Sequence, residues 1–102
     1  MLSISQILQR AVRIREIDGR PDIAYDLFAG TYDLVDDPIR KAGILSEMAL
    51  CRKHQKKFDE AKILFKKALI TYFASNVIVG IARVNRQLSA IALAEGDVDG
   101  AM

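Results

Sequence analysis

The sequence predicts an all-α fold. About five helices form antiparallel hairpins that stack into a short α-solenoid, a single domain over residues 1–102. Three observations carry this expectation. Apolar residues recur at helical rather than strand spacing along most of the chain. The two prolines and six glycines are few and read as punctuation between periodic runs. Three turn segments, "GRPDIAYDLF", "KKFDEAKILF" and "GDVDGAM", can also be laid over one another with Ala24, Ala61 and Ala101 in register. Repetition on that scale marks an array whose hairpins bury their faces only by stacking.

Each element follows from local chemistry. Ser3 and Gln6 have the form of a capping box, in which hydroxyl and amide answer each other's backbone N–H. Ile4, Ile7, Leu8, Ala11, Val12, Ile14 and Ile17 then keep helical spacing up to Gly19, which suits a left-handed helix end, so the first helix is expected over about 4–18. Pro21 opens the second, where its missing N–H costs nothing, and Asp22 and Asp26 favour its positive end. Its inward stripe is Ile23, Ala24, Leu27, Phe28, Thr31 and Leu34, ending near Val35. Asp37 caps and Pro38 opens a third helix, with Ile39, Ile44, Leu45, Met48, Ala49 and Arg52 inward. The polar "KHQKK" breaks the period and Phe58 restarts it in a fourth helix reaching Phe73, acids first and lysines later as the dipole favours. Ser75 or Asn76 is expected to cap a fifth, running through Val79, Ala82, Val84, Leu88, Ile91 and Ala92 to Gly96.

Composition bounds the function. With 51% hydrophobic and 27% charged residues the chain has the balance of a soluble globular domain. A net charge of +2 is too small to imply a polyanion partner, but it is unevenly placed: residues 52–67 hold seven basic and two acidic side chains, residues 1–51 six and eight. Cys51 stands alone, which excludes an intrachain disulfide and fits a reducing, cytoplasmic setting. "MLSISQILQR" lacks the features of a signal peptide, and the most apolar run is broken by Arg83, Asn85, Arg86 and Gln87, so no membrane span is expected.

Residues 42–74 place Leu45, Met48 and Ala49 on one helix and Phe58, Glu60-Ala61, Phe65 and Ala68-Leu69 on the next. This pattern resembles the tetratricopeptide repeat family, in a longer-repeat variant. Leu8, Gly19, Ala24 and Phe28 on one side, and Leu88, Ser89, Gly96 and Ala101 on the other, extend the resemblance to repeats at about 4–37, 38–75 and 76–102. The register steps of 37 and 40 residues exceed the roughly 34 of the standard unit, which puts extra turns into the helices. Lys56 and Arg52 stand where the family has its turn glycine and an aromatic, so the middle hairpin is expected to cross differently. The last repeat lacks its second helix. The chain is accordingly expected to be a fragment of a longer repeat protein or to self-associate through the fifth helix, at Leu88, Ile91 and Leu93.

The resemblance implies a protein-protein interaction scaffold whose first helices line a concave groove for a peptide or protein segment. Carrying the register across implicates Gln6, Gln9 and Arg13, then Ser46, Leu50 and Lys53, then Arg83, Arg86 and Ala90. Arg13, Lys53, Arg83 and Arg86 would together receive carboxylates, so the expected partner is acidic. The chaperone-binding subgroup uses a two-carboxylate clamp. Gln9, Arg13, Glu47, Arg83 and Gln87 stand at its positions, and Glu47 would repel a carboxylate, so chaperone tails are not expected.

Two other classes compete: a regulatory module touching nucleic acid through residues 52–67, and a purely structural oligomerisation unit. The basic set Arg52, Lys53, Lys56, Lys57, Lys62, Lys66 and Lys67 has no aromatic platform interleaved, because Phe58 and Phe65 belong to the buried stripe. A solvated convex face is the expected reading. Glu47, Cys51 and His54 share a helical face but fall short of the roughly four ligands of a structural zinc site. No metal or cofactor is expected. With no glycine-rich phosphate loop, no nucleophile elbow and one histidine without a partner nearby in sequence, no enzymatic activity is expected either.

Overall fold

The computed structural model describes residues 1–98. Five α-helices follow in order: α1 Ile4–Glu16, α2 Pro21–Tyr32, α3 Pro38–His54, α4 Phe58–Ala74 and α5 Ile78–Val98. Among the described residues there is no strand. Each helix packs on the next in sequence and α3 also touches α5, giving a slab of 51 × 34 × 17 Å. Helix axes pack about 8–10 Å apart, so the short dimension holds two layers.

The caps form as the sequence expects. Gln6 N donates to Ser3 Oγ at 3.1 Å and Ser3 N to Gln6 Oε1 at 2.8 Å. Arg40 N donates to Asp37 Oδ2 at 2.8 Å, with Pro38 in the first turn of α3. The turns repeat one device. Gly19, Lys56 and Asn76 have φ of 66°, 60° and 57°, each two residues before the following helix. Lys57 N donates to Arg52 O and Val77 N to Tyr72 O, both at 2.9 Å, closing Schellman-type ends on α3 and α4. The middle turn thus takes the same left-handed conformation as its glycine counterpart, with a lysine in place of the glycine.

Several expectations are corrected. Ser75 terminates α4 and Asn76 is the left-handed residue, so neither caps α5. Helix α5 runs through Gly96 to Val98, where a turn was expected to begin, and Ala101 lies outside the described residues. Gly30, Gly43, Gly80 and Gly96 lie inside helices rather than between them. Ile17, Ile23, Leu34, Ile39 and Val79 are exposed, at 71%, 40%, 66%, 42% and 67%. All five sit at helix ends or first turns, where helical spacing continues but no neighbouring helix remains to cover it.

The core has two lobes. Ala11, Ala24, Phe28, Val35, Ile44, Met48 and Cys51 fill the space between α1, α2 and α3. Ala42, Ala49, Ala61, Phe65, Ala68, Tyr72, Val84 and Ile91 fill that between α3, α4 and α5. Leu45 and Leu64 pack against both, so the lobes are continuous. The register alanines Ala24 and Ala61 are both fully buried, and they are what lets the two helices of each hairpin approach closely.

Candidate functional site

A cavity of about 320 Å³ opens between α1, α3 and α5, with α4 behind it. Leu8, Ile44, Leu50, Phe65 and Val84 supply apolar lining, while Arg40, Ser46, Glu47, Arg83 and Gln87 supply polar groups. No lining residue comes from α2. Tyr72 reaches in from α4, and two glycines make room for it. A Cβ on Gly80 would lie 2.8 Å from three atoms of the Tyr72 ring, and one on Gly43 would lie 3.8 Å from its hydroxyl oxygen. The ring therefore bridges α3 and α5 at a spot where α5 comes close enough that only a glycine fits.

The polar groups of the groove are held in specific ways. Arg15, only 5% exposed, ties α1 to α3. Its Nη1 lies 2.9 Å from Glu47 Oε1 and donates to Glu47 O at 3.2 Å, and its Nε donates to Glu16 at 3.0 Å. The guanidinium also sits 5.7 Å from the centre of the Phe28 ring. Burial opposes the Arg15 charge, but Glu47 and Glu16 more than offset it and hold its pKa above the ordinary arginine value. Glu47, expected to repel a carboxylate, is thus paired with a cation inside the fold. Lys53 Nζ donates to Gln87 Oε1 at 2.9 Å, a strut from α3 to α5. Arg40 Nη2 donates to Ser5 Oγ at 3.2 Å. Ser46 Oγ is buried in the groove wall with no hydrogen-bond partner among the described residues.

Among the site residues expected from sequence, Ser46, Leu50 and Arg83 come together in this groove. Gln9 and Arg13 do not. They line a separate depression on α1 with Leu2, Gln6, Arg10, Ile14 and Asp18. Arg86 is exposed and lines neither concavity. The four cations expected to converge therefore do not, and Arg40 is the one that joins Arg83 at the groove. Ile91 is fully buried in the core, so it is no part of an external face, while Leu88 is half-buried against that core and Leu93 is 75% exposed. Glu47, Cys51 and His54 turn to different tasks. Glu47 pairs with Arg15, Cys51 is buried, and His54 Nε2 lies 3.7 Å from Glu16. No group of three potential metal ligands converges among the described residues.

Sequence reasoning missed Arg15, Arg40, Lys41 and Tyr72. A signal existed for Arg15, since the 37-residue register pairs it with Arg52, another arginine on an inward stripe. Arg52 lies 3.5 Å from the centre of the Tyr25 ring and donates to Gln55 at 2.7 Å. Lys41 Nζ donates to Tyr32 O and Val35 O at 2.8 and 2.9 Å, satisfying carbonyls at the end of α2. No described helix is long and apolar enough to cross a membrane. Comparison of the chain with family models, with curated proteins and with solved structures found no match.

Proposed function

We propose that this chain is a protein-interaction module of tetratricopeptide type that captures a segment of a partner protein in the groove between α1, α3 and α5. The observation that carries the reading is a concavity of about 320 Å³ that combines an apolar lining from Leu8, Leu50 and Val84 with the cations Arg40 and Arg83. Recognition sites of this kind bury an apolar anchor and use a few placed polar groups for orientation. Here Arg40 and Arg83 select a carboxylate beside the anchor, and the partnerless Ser46 hydroxyl answers a backbone or side-chain polar group. The internal Arg15–Glu47 pair leaves the groove's balance positive.

The test is nuclear magnetic resonance titration with short peptides that pair a leucine or phenylalanine with an aspartate or glutamate. The reading expects the amide signals of Gly43, Leu50 and Gly80 to shift on addition, and the shifts to vanish in Arg83→Glu. Peptides that leave those signals unmoved across the whole series, or bind Arg83→Glu equally well, would refute it.

Self-association is the second element of the proposal. Exposed apolar residues favour it, namely Ile63 at 57%, Ile70 at 71% and Phe73 at 60% on α4 and Leu93 on α5.

A further inference from the structure

The outward faces of α2 and α4 occupy the same register positions and carry opposite character. On α4 the stripe opposite the buried Ala61, Phe65 and Ala68 runs Ile63, Lys66, Lys67, Ile70, all exposed. Thirty-seven positions earlier, on and just after α2, the stripe runs Asp26, Ala29, Gly30, Asp33. One surface is apolar with a basic centre, and the other is small at its centre with an acid at each end. Neither Lys66 nor Lys67, nor Asp26 or Asp33, takes part in an ion pair among the described residues, whereas Lys62 is engaged by Asp59 and Glu95. Between Pro21 and Asp37 there are five aspartates and no lysine or arginine.

We propose that a second copy of this chain docks back to back on this face, α2 of each copy lying against α4 of the other about a two-fold axis. Charge complementarity selects that occupant. Shifted by one turn, Lys66 and Lys67 meet an aspartate while one of the two isoleucines, Ile63 or Ile70, settles on Ala29 and Gly30, where short side chains allow close approach. Two-fold symmetry uses both stripes at once and closes the assembly, as an isologous contact must. The apolar area comes close to the lower end of a standard stable interface. Ile63, Ile70 and Phe73 each present on the order of 100 Å² of apolar surface, about 600 Å² over the pair, against roughly 1,200–2,000 Å² total and a little over half of it apolar in standard stable interfaces. This inference rests on the self-association reading but moves the contact from α5 to α2 and α4, leaving the peptide groove open on the opposite side.

Sedimentation equilibrium on three chains decides it, with circular dichroism confirming that each remains helical. The wild type is expected to be a dimer that weakens with salt. Lys66→Glu with Lys67→Glu, and separately Asp26→Lys with Asp33→Lys, are each expected to raise the dimer dissociation constant about tenfold or more. Mixing the two variants should restore a dimer, because each supplies the charge the other lost. A wild-type monomer, a dimer indifferent to both reversals, or variants that fail to recombine would overturn the proposal. Dissociation by Leu93→Asp with no response to the charge reversals would place self-association on α5 and refute this contact specifically. Neither result bears on peptide capture in the groove.

Discussion

Gly80 and Tyr72 show how much a single atom decides at the groove. A Cβ at position 80 would meet the Tyr72 ring at 2.8 Å, and the ring is only 8% exposed, with little room to withdraw. Gly80→Ala is expected to destabilise the protein by about 1–3 kcal/mol, the usual cost of overpacking, measurable as a lower urea midpoint. Arg15 is the other sensitive residue. Glu47→Ala leaves a buried guanidinium with one partner fewer, and a loss of about 2 kcal/mol is expected, below the range for fully buried pairs because the Glu47 side chain is 35% exposed. Cys51 adds a pH dependence of known sign. Burial pushes its thiol above the ordinary range. Below about pH 8.5 the thiol is neutral in both folded and unfolded chains, and as pH rises further only the unfolded thiol ionises at first, so stability falls on the alkaline side. Urea midpoints at pH 7 and pH 9.5 should therefore diverge more in the wild type than in Cys51→Ala.

At the scale of elements, the turns carry a cost that the sequence does not advertise. Lys56 holds a left-handed conformation that a glycine would adopt without strain. Lys56→Gly is expected to stabilise the chain by up to about 1 kcal/mol, read as a rise in melting temperature. Helix beginnings were legible because Ser3, Asp37, Pro21 and Pro38 act on backbone groups within three or four residues. Helix ends were less so. Ile17 and Leu34 continue the apolar spacing past the ends of α1 and α2, and nothing local distinguishes them from Leu8 or Val84, which have a neighbouring helix to pack on. Gly96 misled for a related reason: a glycine after a periodic run suits a helix end, yet it is tolerated inside a helix at modest cost.

Across the whole molecule the two core lobes share Leu45 and Leu64, so α1–α2 and α4–α5 are expected to unfold together. Leu45→Ala is expected to cost about 2 kcal/mol and to separate the two transitions, which hydrogen exchange on α1 and α5 amides would reveal. The sequence by itself determined the five helices, the caps at Ser3 and Asp37 and the register that pairs Ala24 with Ala61. These depend on spacing along one helix and on contacts between residues a few positions apart. The tertiary structure alone decided which charges meet: Arg83 with Arg40 at the groove rather than with Arg13, Glu47 with Arg15 rather than with a ligand, and Tyr72 between Gly43 and Gly80. Those pairings depend on how helices cross in three dimensions, and the crossing is settled by packing volumes that a one-dimensional pattern of residues does not contain.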